Sequence, residues 1–266
     1  MELLDIFNWS NVGLLLTGVV TGLAAAILGI GGGLLMVPVL TYWGASPIQA
    51  TATSLLAIVI GSASGTFHNW RMGKLQLNRI ITLAIPAMLS SVIGVALANR
   101  LPGSVLLLSF AILQFAAIFL IDFKRKLQRK ENFNGNDLFP TKANNPLLIQ
   151  STGIGLLAGV LAGLFGVGGG IVMVPLQMLF LKETIKDAVR TSLGAVCLIA
   201  IAAVSQHAAN GNVLWQTGLF LGLGTLAGAQ GGARLLIKLP EGLIRQLFRG
   251  LLAFMASLMV YKAWHV

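Results

Sequence analysis

Residues Leu28–Pro38 read LGIGGGLLMVP, and residues Phe165–Pro175 read FGVGGGIVMVP. Seven of the eleven positions are identical, at an offset of 137. The offset then holds near 138. Thr53-Ser54-Leu55 returns as Thr191-Ser192-Leu193, and Leu101-Pro102 as Leu239-Pro240. His68 and Gly73 return as His207 and Gly211 with one gap adjusted. A repeat at this spacing means one structural unit used twice. The units are residues 1–122 and 147–266, joined by a polar linker at 123–146.

Each unit reads as five apolar helical segments. They are 11–28, 33–43, 47–69, 78–99 and 102–122, then 147–165, 170–181, 187–209, 213–236 and 240–262. A helix needs about 20 residues to cross a hydrocarbon core of ~30 Å. Most segments reach that length. The second of each half does not: eleven residues rise only about 16 Å. These short arms start at the glycine triplets and close on Pro38 and Pro175, as the halves of broken or re-entrant hairpins do.

Composition agrees. Only 10% of the 266 residues are charged, against about 25% in soluble domains. Hydrophobic residues make up 56%, and the mean hydropathy is +0.86. A soluble globule cannot hide that much apolar surface. The expected class is therefore an all-α polytopic membrane protein, with the lipid bilayer as its first partner. The single Cys197 excludes a disulfide framework within one chain and reads as a small buried hydrophobe. Met1–Ser10 carries Glu2 and Asp5 but no Lys or Arg, so no secretory signal peptide is read there.

The net charge of +10 is a topology signal, and nucleic-acid binding is excluded because no basic face or motif accompanies it. Basic residues cluster at 71–79, in the linker, at 182–190 and at 234–249. Placing those clusters in the cytoplasm puts 16 of 18 Lys and Arg inside and leaves only Arg100 and Lys262 outside. Both termini are then extracytoplasmic. The Leu101-Pro102 turn falls outside and its repeat at Leu239-Pro240 inside, so the halves are expected to be inverted. Inverted repeats with interrupted helices mark secondary transporters that bind near the midplane.

The candidate site follows from the glycines. Gly31, Gly32, Gly33 and Gly168, Gly169, Gly170 precede the short arms, whose first N–H groups have no helical partner. A helix N-terminus binds an anion without any charged side chain. Thr53, Ser54, Thr191 and Ser192 start the helix after each hairpin and offer hydroxyls to an oxyanion. The bland alternatives are glycines that merely permit tight crossings and hydroxyls bonded back to their own helix. Glycines four apart elsewhere (Gly18/Gly22, Gly155/Gly159/Gly163, Gly218/Gly222 and Gly224/Gly228/Gly232) read as packing. Arg190 reads as a cytoplasmic anchor, His68 and His207 as polar caps at the membrane interface, and Gln114 and Gln230 as helix–helix hydrogen-bond groups.

All eight acidic residues sit at ends or in loops. The absence of a mid-helix carboxylate argues against a carboxylate relay or a cation pathway. No nucleophile–base pair or metal-ligand set is visible, so the reading is not an enzyme, and it implies no metal and no cofactor.

The duplicated G-x-G-G-G-x-x-x-x-P hairpin resembles the TauE/SafE sulfite exporter family. The helix starts Ala50-Thr51-Ala52-Thr53-Ser54-Leu55 and Ala188-Val189-Arg190-Thr191-Ser192-Leu193, and the Leu-Pro turns, fit the same pattern. The resemblance implies a permease of a bacterial-type inner membrane. Its partner would be a small sulfur-containing anion such as sulfite, thiosulfate or an organosulfonate. The expected direction is export by alternating access, which a negative cell interior favours for an anion; uptake of the same anions is the alternative, and there is room for a homo-oligomer. A non-transporting membrane scaffold is the reading from another class.

Overall fold

The computed structural model describes residues 9–28, 31–73, 75–131, 145–183, 185–235 and 241–264. Ten α-helices carry these residues, with no strand among them. The first half holds α1 (Trp9–Leu28), α2 (Gly33–Tyr42), α3 (Pro47–Arg71), α4 (Leu77–Arg100) and α5 (Gly103–Glu131). The second holds α6 (Asn145–Phe165), α7 (Gly170–Phe180), α8 (Ile185–Ala209), α9 (Trp215–Leu235) and α10 (Glu241–Trp264). Helix α5 runs on to Glu131, past the end expected from hydropathy. Residues 132–144 of the linker, the Leu239-Pro240 turn and Gly29 lie outside the described residues, and the linker's last two residues open α6.

Two local expectations are corrected. Pro38 and Pro175 do not end the short arms; each lies inside its helix, which continues to Tyr42 or Phe180. Proline removes one N–H from the helix ladder without forcing a stop when a neighbouring group satisfies the freed carbonyl. Thr53-Ser54 and Thr191-Ser192 do not start α3 and α8, which begin at Pro47 and Ile185. The start of α3 is fixed instead by Ser46, whose Oγ accepts from Gln49 N (3.3 Å) while Gln49 Oε1 accepts from Ser46 N (3.2 Å). This capping box, with proline at the first helical position, sets the boundary seven residues ahead of Thr53.

The helix pairings come in matched couples. Contact of α1 with α9 is answered by α6 with α4, and α3 with α9 by α8 with α4. Likewise α2 with α3 is answered by α7 with α8, and α10 with α2 by α5 with α7. Helices α3 and α8 cross each other at the centre, and α5 packs on α10. The α1–α9 and α4–α6 interfaces are built on the spaced glycines. A methyl on Gly18 would lie 2.8 Å from Gly224 Cα, and one on Gly163 would lie 2.9 Å from Val95 N. Backbones this close need small residues at the seam.

The outer surface is apolar. On α4, Ile81, Ile85, Leu89, Val92 and Ile93 are exposed while Leu83, Ala84, Ala87 and Val95 are buried. A helix that is hydrophobic on both faces is a membrane span when its outer face meets no protein. By length and composition, Pro47–Arg71, Leu77–Arg100, Leu148–Phe165 and Asp187–Ala209 suffice to cross a membrane.

The turns sort to the two ends of α4, which is 24 residues and so about 36 Å long. At its N-terminal end, Arg79 pairs with Glu183 in the α7–α8 turn. At its C-terminal end, Asn99 Oδ1 accepts from Asn212 Nδ2 (2.9 Å) in the α8–α9 turn. There too, beyond α4, a methyl on Gly103 would lie 3.4 Å from Pro47 Cγ, at the α2–α3 turn. Lys262 Nζ donates to the Thr41 carbonyl beside that same turn.

Candidate functional site

Each short arm begins the same way. Gly32 (φ 79°) and Gly169 (φ 76°) are left-handed N-caps with no side-chain cap. Leu35 and Met36 donate to Gly32 O, and Val172 and Met173 to Gly169 O. The N–H groups ahead of these are the ones a helix cannot satisfy itself, and they carry the positive end of its dipole. A Cβ at either left-handed position would strain the backbone.

The two starts meet. A methyl on Gly33 would lie 2.8 Å from Val167 Cα, and one on Gly31 would lie 3.2 Å from Val167 O. Ile58 and Val196, related by the 138-residue offset, wedge beside both loops. A methyl on Gly168 would come within 2.8 Å of Val196 Cγ1 and 3.3 Å of Ile58 Cγ2. Ser54 locks the junction: its Oγ lies 2.8 Å from Thr51 O and 2.9 Å from Gly166 O, so one hydroxyl serves its own helix and the opposite loop. Gly31, Gly32, Gly33, Gly168, Gly169, Gly170 and Ser54 are all buried there.

The other predicted hydroxyls are buried but held elsewhere. Thr53 Oγ1 accepts from Leu214 N (3.1 Å) at the start of α9. Ser192 Oγ accepts from Gln177 Nε2 (2.7 Å), tying α7 to α8. Thr191 is buried on α8. Arg190 pairs with Asp187 Oδ1 (3.3 Å) on its own helix. Cys197 is partly buried, and Gln230 is exposed.

Three residues carry more than the sequence reading gave them. His207 caps a helix end, but a buried one: it is 0% exposed, and its Nε2 meets the Gly163 carbonyl (3.1 Å), an orphan acceptor in the last turn of α6. Its repeat mate His68 is exposed, as expected. Gln177 was not singled out, although it is the one polar side chain in GIVMVPLQMLF. Its solitude in an apolar arm was the signal. Glu183 lies in a turn, as its sequence suggests, yet is only 4% exposed. Burial pushes its carboxyl above the ordinary range; the Arg79 guanidinium pulls the other way but is half exposed and screened by water. Nothing in its neighbours Lys182 and Thr184 announces that burial.

The geometry defines a multi-pass helical membrane protein with a charge-free junction of two helix starts at its core. The sulfite exporter TauE/SafE family matches residues 14–259, and the chain belongs to that family. It is 26% identical over 268 residues to the probable membrane transporter protein YunE of Bacillus subtilis, covering 95% of this chain and 98% of that one. A probable membrane transporter protein of Methanocaldococcus jannaschii is 28% identical over 204 residues, covering 73% of this chain and 71% of the other. One from Sinorhizobium, ORF9, is 29% identical over 221 residues, covering 81% and 78%. No solved structure matches the chain.

Proposed function

We propose that this protein is a secondary permease that exports small sulfur-containing anions (sulfite, thiosulfate or an organosulfonate) across the cytoplasmic membrane by alternating access. The observation that carries the reading is the meeting of two left-handed, side-chain-free helix starts at the crossing of α3 and α8. Backbone N–H groups of Gly31–Gly33 and Gly168–Gly170 receive the anion. Ser54 already reaches the junction. Thr53, Thr191 and Ser192 exchange their protein partners for the anion as the arms move.

The halves lie inverted in the bilayer. The α2–α3 turn and its repeat mate, the α7–α8 turn, sit at opposite ends of α4. So do the turn at Gly73 and its mate at Gly211. The end near Arg71, Arg79 and Lys182 is cytoplasmic by its positive charge. Exposed Phe67 and Trp70 lie at that end, and exposed Tyr42, Trp43, Trp215, Tyr261 and Trp264 at the other, as aromatic belts do. Both termini are extracytoplasmic.

With a negative cell interior, each exported negative charge releases about 2.3 kcal/mol per 100 mV, so export needs no coupling ion. The test is a flux screen in proteoliposomes loaded with sulfite, thiosulfate, sulfonates or sulfate. The expected result is saturable exit of at least one sulfur oxyanion. Movement of none of them is the result expected of a scaffold. Uptake and export are separated by comparing right-side-out with inverted vesicles.

A further inference from the structure

We infer that the moving units of the permease are not its two sequence halves but two bodies that have exchanged a helix, α1–α2–α3–α9 and α4–α6–α7–α8; this rests on the permease reading above. The packing divides the chain this way. Helix α9 of the second half lies on α1 and α3, and α4 of the first half lies on α6 and α8. Helix α2 packs on α1 and α3, and α7 on α6 and α8. Each body takes three helices from one half and its fourth from the other.

Specific contacts hold each body together. In the first, Thr225 Oγ1 on α9 lies 3.3 Å from the Ala57 carbonyl of α3, and Thr53 Oγ1 accepts from Leu214 N (3.1 Å). In the second, Ser90 Oγ on α4 donates to Leu156 O on α6 (2.8 Å), and His207 on α8 meets Gly163 O on α6 (3.1 Å). Arg79 of α4 pairs with Glu183 in the α7–α8 turn. The backbones of α1 with α9, and of α4 with α6, touch through glycines, so neither pair can slide without a clash.

The seam between the bodies is of another kind. There α3 crosses α8 and the two glycine loops meet. Leu55, Ile58, Val196, Ala200 and Ala203, from the two crossing helices, belong to one buried apolar cluster. Side chains fill the crossing: a methyl on Gly65 would lie 3.5 Å from Leu193 Cγ. Two polar contacts span it, Ser54 Oγ to Gly166 O (2.9 Å) and the Ser62 hydroxyl with the Cys197 thiol, a weak hydrogen-bonding group. Apolar contact is non-directional, so a turning helix can exchange one such neighbour for another. The chain passes between bodies at the matched turns of Gly73 (φ 66°) and Gly211 (φ 70°), where a methyl would meet nothing within 4 Å. Such open turns absorb a change of backbone angle. Rocking of body on body opens the glycine junction to either side and leaves α4–α6 and α1–α9 intact.

The test is disulfide cross-linking in a Cys197→Ser background, with sulfite flux in proteoliposomes read before and after oxidation and bond formation read by mass spectrometry. Gly61→Cys with Thr225→Cys joins α3 to α9; a Cβ on Gly61 would lie 3.3 Å from Thr225 Cβ, close to the span of about 3.5–4.5 Å that a disulfide needs. Ile80→Cys with Gly194→Cys joins α4 to α8, where a methyl on Gly194 would lie 3.1 Å from Ile80 Cγ1. Both bonds tie the sequence halves together, yet each stays within one body, so oxidation should leave the flux unchanged. Gly65→Cys with Leu193→Cys joins α3 to α8 across the seam; its oxidation should stop the flux and a reductant should restore it. Reversible loss of flux on oxidising either within-body pair overturns the inference, as does full flux through the cross-linked α3–α8 pair. A Gly61/Thr225 pair that does not oxidise also overturns it, since the first body requires that contact. The second within-body pair decides if the first variant does not fold. Absence of sulfite flux in the wild type overturns the permease reading and this inference with it; flux with any of the contrary cross-linking results overturns the inference alone.

Discussion

Gly159→Ala tests the close packing of α4 on α6, with Gly153→Ala on the same helix as its matched control. A methyl on Gly159 would lie 2.6 Å from the Ala87 carbonyl carbon, while ordinary contact begins at 3.4 Å. The helices must therefore part by at least about 0.8 Å, the difference of those two distances. Overpacking of this kind costs about 1–3 kcal/mol. The same displacement stretches the Ser90 Oγ to Leu156 O bond from 2.8 Å to beyond hydrogen-bonding reach. An interhelical bond in a membrane is worth roughly 0.6 kcal/mol. Against this, alanine favours the helix by up to about 1 kcal/mol. The net loss is about 1–3 kcal/mol, a fall of several degrees in melting temperature at roughly 2–4 °C per kcal/mol. Nothing lies within 4 Å of a methyl on Gly153, so Gly153→Ala should hold or gain stability. Thermal unfolding of the purified variants in detergent reads both. A Gly159→Ala protein that melts with Gly153→Ala would refute the reasoning.

Three further outcomes are expected. Gly32→Val and Gly169→Val place a β-branched side chain at left-handed backbone, at a strain of roughly 1–3 kcal/mol each, and should cut anion flux at least about tenfold while the protein remains in the membrane; normal flux in both removes the glycine junction from the transport path. In a Cys197→Ser background, Met72→Cys and Asn210→Cys, exposed positions related by the 138-residue offset, should react with an impermeant thiol reagent from opposite sides of the membrane, and labelling from one side would remove the inversion. Because the folded state raises the Glu183 carboxyl above 4.5, its share of stability is full below that pH and is lost as pH rises through the folded value; Glu183→Gln should flatten this part of the stability–pH curve, and an unchanged curve means the carboxyl is not buried.

The sequence made the helices legible because the hydrophobic runs are long and the glycines stand at fixed spacing. Every expected helix is present, and the glycine pairs at Gly18/Gly22 and Gly155/Gly159/Gly163 sit at backbone contacts. The meeting of the two glycine loops was foreshadowed by the repeat itself. Finer details depended on partners distant in sequence. Hydropathy does not reveal that Pro38 can sit inside a helix, because the carbonyl that proline leaves free, Leu34 O, accepts from Gln114 Nε2, 80 residues along the chain from Leu34. Ser54 looks like Ser192 in the pattern, yet one reaches the opposite glycine loop and the other receives a bond from Gln177. His68 and His207 occupy matching positions, but only His207 meets the carbonyl end of a neighbouring helix. Glu183 is buried by how α4 and the α7–α8 turn close on each other, which no local pattern encodes.

Sulfite efflux from proteoliposomes under an imposed potential is the most direct measurement. An anion that crosses through a junction of helix dipoles carries its charge with it, and about 100 mV adds roughly 2.3 kcal/mol per charge to the driving force. Efflux should accelerate when the compartment losing sulfite is made negative, with no proton or sodium gradient present. Flux that ignores the potential yet demands one of those gradients would contradict uncoupled anion export through the glycine junction.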